Sequence, residues 1–194
     1  MNIDIADEGF GAIAEYARVP IAFEVRAVLD VVARDGGLGG LLLAERSVDA
    51  PYLKNYDALD GGPAGWAARF DVSSWGLLVA RSGRRVIGGA AIAFDTAGVE
   101  MLEGRRDLAV LWDLRVAPEA RGRGAGSALF RAAEAWAAAR GCRRMKIETQ
   151  NVNVPACRFY AARGCVLGAI HRFAYPGLPH EAQLLWYREL APAE

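Results

Sequence analysis

A glycine-rich turn between a buried strand and a long helix constrains this chain more than any other segment. The turn reads Arg121-Gly122-Arg123-Gly124-Ala125-Gly126-Ser127. It follows an apolar run that ends at Pro118 and precedes a helical stripe of apolar residues that stops at Gly141. Glycines let the backbone approach a ligand closely, and a helix start supplies N–H groups and the positive end of a dipole. Together they predict a seat for a phosphate or pyrophosphate group.

Two other phosphate-binding patterns do not fit this turn. The dinucleotide fingerprint G-x-G-x-x-G needs a glycine at the position of Ser127. The P-loop needs a Gly-Lys-Ser/Thr ending, which the turn lacks. A plain tight turn without a ligand is the alternative interpretation of these glycines.

The hydrophobic pattern predicts strands that are interrupted twice by helices. After Trp75, strands are expected over 75–80, 86–94, 107–118, 145–150, 166–173 and 182–190, and helices over 124–140 and 154–163. Asn153 is the expected N-cap of the second helix. Before Trp75 the pattern is less regular. There, 19–34 is interpreted as a strand followed by a helix, and 40–45 as a strand or part of a helix. This order predicts an α/β chain with a mixed sheet and helices packed on it.

Two motifs resemble the acetyl-CoA-binding segments of the GNAT superfamily of N-acetyltransferases. The turn fits R/Q-x-x-G-x-G/A through Arg121, Gly124 and Gly126, and the preceding LWDLRVAPEA resembles the family's fourth strand. NVNVPACRFYAARGC resembles N-x-x-A-x-x-F/L-Y-x-x-x-G-F, with Cys165 where phenylalanine is common. The resemblance implies a GNAT fold of mixed α+β type. Its central, mostly antiparallel sheet would be splayed between the fourth and fifth strands and flanked by helices.

The resemblance also implies acetyl-CoA as the cosubstrate. The pantetheine arm would lie in the gap beside the fourth strand and bind its backbone groups, while the turn would bind the pyrophosphate. A backbone N–H of that bulged strand, near Val116, would polarise the thioester carbonyl. The implied cofactor-binding residues are Leu114, Arg115, Val116, Arg121, Gly122, Arg123, Gly124, Ala125, Gly126, Ser127, Asn153, Ala156 and Tyr160.

Tyr160 is the implied general acid, which would protonate the leaving thiolate; an aromatic core position is its alternative role. The implied reaction is direct attack of a neutral amine through a tetrahedral oxyanion. An ammonium substrate must first lose a proton, and the candidate bases are Asp113 and Glu148 on the two strands beside the gap, with Glu100 and Glu103 on the loop before. Asp113 could instead form an ion pair with a neighbouring arginine, and Glu148 could be structural or bind substrate.

Within the superfamily, IETQNVNVPACRFYAARGC and LLWYREL are similar to the streptothricin acetyltransferase group. We expect a single domain over 1–194, with a motif-bearing core over about 75–190 and a divergent part over 1–74. Trp112 precedes Asp113 where an acid pair is expected, and 101–107 has no counterpart in the group. Suggested walls of a pocket for a cationic substrate are Tyr52, Tyr56, Asp57 and Trp75.

The substrate is therefore expected to be a small-molecule amine, with a streptothricin-like antibiotic as one candidate. A protein or peptide amine is the alternative acceptor, and a non-catalytic acyl-CoA-binding module is the alternative from another class. The identity of the acceptor stays open at this point.

Composition narrows the expected partners, location and metal content of the protein. Basic and acidic side chains number 23 each, which gives no electrostatic case for nucleic acid. No apolar run is long enough for a membrane helix, and no signal peptide is apparent. Three cysteines without a C-x-x-C pair indicate reduced thiols in a cytoplasm and no metal site, and Cys157 is expected in the core. The resemblance is compatible with a homodimer.

Overall fold

The computed structural model describes residues 2–191 and has a mixed α+β fold, with a large, mostly antiparallel sheet flanked by helices. In chain order the strands are β1 (Asp4–Asp7), β2 (Phe23–Ala33), β3 (Leu41–Lys54), β4 (Gly76–Ser82), β5 (Arg85–Ala93), β6 (Leu108–Val116), β7 (Arg144–Gln150), β8 (Val166–His171) and β9 (Gln183–Glu189). The α helices are α1 (Ile13–Tyr16), α2 (Asp57–Asp60), α3 (Trp66–Arg69), α4 (Ala125–Ala138) and α5 (Val154–Ala161). The predicted fold class is confirmed.

The chain divides into two compact units. The first comprises 1–22, 55–146 and 189–194, and the second comprises 23–54 and 147–188. The expectation of a single domain over 1–194 stays a prediction. No helix within residues 2–191 has the length and apolar character required to cross a membrane. The expected cytoplasmic location and the homodimer also stay predictions.

In the first unit, β1, β4, β5 and β6 are neighbours in that order, and each is antiparallel to the next. Their core is aromatic: Tyr16, Trp66 and Trp75 are buried together. The ring centroids of Trp66 and Trp75 lie 6.3 Å apart, and Trp112 packs 5.3 Å from Trp75. Gly89 on β5 makes room for this core, because a Cβ there would lie 2.6 Å from the ring of Tyr16.

In the second unit, β2 and β3 form a two-stranded antiparallel sheet, and β8 is antiparallel to β9. β9 lies between β8 and β7, the strand whose last four residues belong to this unit. The hairpin of β2 and β3 packs through Val25 and Val28 against Val152. Asn151 also attaches it, because its side-chain amide donates to the carbonyl oxygen of Leu29 at 3.0 Å. These contacts give the hairpin a core that two strands alone cannot supply.

In the N-terminal third the structure differs from one prediction. The prediction of a strand followed by a helix over 19–34 is wrong in its second half, because β2 remains extended to Ala33. Ten of its residues pair with β3, and the valines of the segment favour this extended conformation. The segment 40–45 was expected to be a strand or part of a helix, and from Leu41 it belongs to a strand, β3. The sequence pattern did not reveal the edge strand β1.

The strand that the resemblance calls the fourth is β6 here, and its register against β5 shifts at Trp112. Asp113 pairs with Ala91 and Leu111 pairs with Ile92, so Trp112 is the extra residue. Its ring packs into the aromatic core, which is the physical reason for a bulge there. The role of a backbone N–H near Val116 stays a prediction.

Candidate active site

The glycine-rich turn has the predicted order of strand, loop and helix. β6 ends at Val116, a 3₁₀ turn covers Pro118–Ala120, and α4 begins at Ala125. Gly122 and Gly124 have φ values of 71° and 92°, which favour glycine. A Cβ added at either position would meet no atom within 4 Å. Backbone conformation, rather than lack of space, therefore accounts for these two glycines, and the loop leaves its backbone open.

The start of α4 suits an anion. Ala128 donates the first helical hydrogen bond, to the carbonyl oxygen of Gly124 at 3.0 Å. An α helix leaves the N–H groups before this point without an intrahelical acceptor and carries partial positive charge there. The first turn of α4 contains no acidic side chain that would compete for these groups. A phosphate group is chemically suited to this helix start.

Arg121 holds the loop rather than projecting freely. Its guanidinium donates to the carbonyl oxygens of Val116 at 2.9 Å and Ala22 at 3.1 Å. Burial lowers the pKa of Arg121 from its ordinary value. Arg123, at a variable position of the same turn, is exposed, and its charge would attract an anion. The two arginines therefore have different surroundings in the same motif.

Asp113 lies in a buried ion-pair network. Its carboxylate accepts hydrogen bonds from Arg115 at 2.6 and 3.0 Å and from the hydroxyl of Tyr16. Arg115 has a fully buried guanidinium and also forms two bonds to Asp57, at 2.9 and 3.0 Å. Burial and then Asp113 raise the pKa of Tyr16 well above its ordinary value. These contacts favour the ion-pair role of Asp113 over that of a base.

The second motif forms the short helix α5. Asn153 caps it: the side-chain oxygen accepts from the N–H of Ala156 at 3.2 Å, as the sequence predicts. Tyr160 lies on the buried face of α5 and packs edge-on against Phe159, with ring centroids 5.2 Å apart. The catalytic role of Tyr160 is not tested by these contacts and stays a prediction.

Glu148 on β7 has surroundings unlike those of Asp113. Its oxygen Oε1 accepts from the hydroxyl of Tyr175 at 2.5 Å and from the amide of Gln150 at 3.2 Å. Oε2 accepts from the amide of Gln183 at 2.7 Å. The carboxylate is half-buried, and in residues 2–191 no Lys, Arg or His forms an ion pair with it. Sequence reasoning missed Tyr175 and Gln183, because they lie far along the chain in no recognisable motif.

The remaining candidates have mainly structural surroundings. Trp75 lies in the core of the first unit and donates to the hydroxyl of Thr96, which are structural contacts. Its suggested place in a pocket wall stays a prediction. Tyr52 has an exposed ring, and burial of its hydroxyl together with Glu181 raises its pKa. Cys157 is buried beside Thr149, and burial raises the pKa of its thiol, which agrees with a core role.

Within residues 2–191 there is no group of three or more His, Cys, Asp or Glu side chains that could hold a metal ion. The expected absence of a metal stays a prediction. The residues implied for acetyl-CoA thus fall into separate sets, on β6 and the α4 loop in the first unit and on α5 in the second.

Three similarities connect the chain with known proteins. It is 31% identical over 190 residues to a streptothricin acetyltransferase of Escherichia coli, covering 96% of this chain and 95% of the relative. The solved structure of a nourseothricin acetyltransferase superposes with a TM-score of 0.77 at 23% identity, over 98% of this chain and 100% of the other. A Bacillus anthracis structure described as a streptothricin acetyltransferase in complex with acetyl coenzyme A gives 0.76 at 22% identity, with the same coverage of both chains.

The sequence model of the Acetyltransferase (GNAT) family matches residues 41–165, which is more than half of the chain. The match includes β6, the glycine-rich loop, α4 and α5. It therefore contains both motifs from which the resemblance was inferred. The chain belongs to the GNAT family and is an N-acetyltransferase.

Proposed function

We propose that this enzyme transfers the acetyl group of acetyl-CoA to an amine of a streptothricin-like antibiotic. The observation that carries the proposal is the similarity to the Escherichia coli streptothricin acetyltransferase, which extends over nearly the whole of both chains. It includes the N-terminal third, where the sequence motifs alone are too sparse to indicate a substrate. A similarity of this extent favours a related acceptor over an unrelated peptide.

The residues present fit acetyl-CoA as the acetyl donor. The start of α4 offers N–H groups without a competing acid, and Gly122 and Gly124 leave the preceding backbone open. These groups would hold the pyrophosphate, with Arg123 adding charge and Arg121 fixing the loop. Backbone groups of Leu114, Arg115 and Val116 would bind the amides of the pantetheine arm. When bound, acetyl-CoA supplies an acetyl group activated as a thioester.

We assign the proton acceptor to Glu148 rather than Asp113. Asp113 forms an ion pair with Arg115, which is a buried cation. Protonating Asp113 would weaken this pair and destabilise the fold, because the charge of Arg115 would stay buried. Glu148 is held by neutral donors and keeps its negative charge available for an ammonium group. It would accept the proton of the acceptor amine as the new nitrogen–carbon bond forms. Tyr160 would donate a proton to the thiolate as the carbon–sulfur bond breaks.

The test is release of free CoA thiol with a panel of acceptors: streptothricin, an aminoglycoside, spermidine and a short peptide with a free N-terminus. We expect kcat/KM for streptothricin to exceed that for the peptide by about 100-fold or more, since the acceptor site would be built for that antibiotic. Tyr160→Phe should lower kcat about 100-fold, as expected for loss of a general acid. The KM for acetyl-CoA should change by less than about twofold.

Two outcomes would contradict the proposal. Equal or faster turnover of the peptide would favour a protein or peptide acetyltransferase. Binding of acetyl-CoA without turnover of any amine, with Tyr160→Phe indistinguishable from the wild type, would favour an acyl-CoA-binding module.

A further inference from the structure

The contacts of the half-buried Glu148 differ in kind from those of two more deeply buried carboxylates, Asp113 and Glu181. Asp113 is paired with Arg115, and Glu181 is paired with Lys54. Both of those acids have a cation as their main partner, which compensates their charge. Glu148 has three neutral donors instead, and they occupy both of its oxygens.

The donors form a connected group. The hydroxyl of Tyr175 donates to Oε1 of Glu148 at 2.5 Å and accepts from the amide of Gln150 at 2.9 Å. The amide of Gln183 approaches the other oxygen, Oε2, from β9 at 2.7 Å. Neutral donors on both oxygens fix the orientation of the carboxylate but leave its full negative charge. All four residues belong to the second unit.

Tyr175 is the one member of this group of four that does not lie on a strand. It lies in the segment of residues 172–182 between β8 and β9, while Gln150 and Gln183 lie on strands. Its ring is half-buried, and only its hydroxyl reaches the carboxylate. A tyrosine ring has few rotatable bonds, so it delivers a hydroxyl to a fixed point at a small entropic cost.

We propose that Tyr175, with Gln150 and Gln183, forms a neutral clamp that positions Glu148 for the ammonium group of the acceptor. Tyr175 is thus a positioning residue that acts through Glu148, and the clamp selects acceptors that carry a cationic amine. This inference rests on the proposed function, because it assigns the partner of the Glu148 charge to the acceptor. It adds a specific role for a segment that no motif covers.

The experiment is a double-mutant cycle with Tyr175→Phe, Glu148→Gln and the combined variant, using the acceptor that wild type turns over fastest. Tyr175→Phe alone should lower kcat/KM for the acceptor about tenfold, as expected for loss of a hydrogen bond to a charged group. Most of the loss should appear in the acceptor constants, with the KM for acetyl-CoA changed by less than about twofold. In the Glu148→Gln background, the same substitution should change kcat/KM by less than about twofold.

Tyr187→Phe is the matched control, because it removes a phenolic hydroxyl from β9 of the same unit. We expect it to leave kcat/KM within about twofold of wild type. Thermal unfolding of every variant provides a readout that is independent of turnover. Tyr175→Phe should keep Tm within about 2 °C of wild type, since the lost bond is only half-buried.

Additive losses in the cycle would overturn the clamp, since they would mean that Tyr175 acts independently of Glu148. A large fall in Tm for Tyr175→Phe, together with an equal rise in both KM values, would also overturn it in favour of a structural role. These failures are distinguishable from failure of the proposed function. An inactive wild type would overturn both, whereas an active wild type with additive losses would overturn the clamp alone.

Discussion

At the scale of single residues, the environment of a carboxylate decides what it can do. Asp113 and Glu148 are both acids on strands, and the sequence leaves their roles open. The structure gives Asp113 a buried arginine and a tyrosine hydroxyl, and it gives Glu148 only neutral amides and a hydroxyl. Removing one partner of a buried ion pair is costly, because the other charge stays buried. The two acids should therefore respond differently to neutralisation.

Asp113→Asn should lower Tm by roughly 5–10 °C, because Arg115 loses one of its two carboxylates inside the first unit. Glu148→Gln should leave Tm within about 2 °C of wild type while lowering kcat by about 100-fold. Differential scanning calorimetry and the thiol-release assay measure the two effects separately.

Asp30→Asn is the control, because Asp30 also pairs with an arginine, Arg46, but on the surface. We expect it to change Tm by less than about 2 °C. If Asp113→Asn were as stable as Asp30→Asn but inactive, Asp113 rather than Glu148 would be the better candidate for the base.

At the scale of secondary-structure elements, α5 shows how a short helix is fixed by its ends. It has eight residues, which is too short for stability in isolation. The Asn153 side chain satisfies an N–H of its first turn, Pro155 follows in that turn, and Gly164 takes a φ of 74° after its end. Burial of Val154, Cys157 and Tyr160 supplies the remaining stabilisation of this helix. The position of Tyr160 thus depends on the cap at Asn153, at the opposite end of the helix.

Asn153→Ala should destabilise the enzyme by about 1 kcal/mol, since it removes the side-chain acceptor of the cap. The corresponding fall in Tm is roughly 2–4 °C for a chain of this size. Asn153→Asp retains the acceptor and should stay within about 1 °C of wild type. Equal Tm values for the alanine and aspartate variants would show that the cap bond contributes little.

At the scale of the whole molecule, binding of acetyl-CoA should be visible as stabilisation. A ligand that binds only the folded state at 100 times its Kd adds about 2.7 kcal/mol to the free energy of unfolding. We therefore expect saturating acetyl-CoA to raise Tm by roughly 5–10 °C. Gly124→Glu should abolish this shift, because it places a negative charge at the start of α4.

Gly98→Glu is the matched control for that experiment. Gly98 also has a positive φ, 80°, and open space around a Cβ, but it lies in the loop after β5. Both variants carry similar backbone strain, so a shift lost only in Gly124→Glu reports on the loop itself. Loss of the shift in both variants, or in neither, would contradict the assignment of this loop to the pyrophosphate.

The sequence predicted most of the fold after Trp75 because local signals there agree with tertiary ones. The strands β4 to β6, the helix α4 with its glycine-rich start and the Asn153 cap were all expected, and the structure has them. Before Trp75 the local pattern is less regular and does not separate strand from helix. The expected helix in the second half of 19–34 is a strand, β2, because the segment pairs with β3 and buries Val25 and Val28.

By itself, the sequence determined the strand, loop and helix order around the glycine-rich turn, because backbone conformation and helix start at the α4 loop depend on residues that are adjacent in the chain. It also determined the type and capping of α5 for the same reason. The reaction class came from the resemblance of the two motifs to the GNAT superfamily. Only the tertiary structure decided which acid is neutralised by Arg115 and which is held by Tyr175 and Gln183. Arg115 is only two residues from Asp113, but Tyr175 and Gln183 lie 27 and 35 residues from Glu148. Tyr16, the other partner of Asp113, lies 97 residues from it. Charge compensation is set by distances in space, and no local pattern records them.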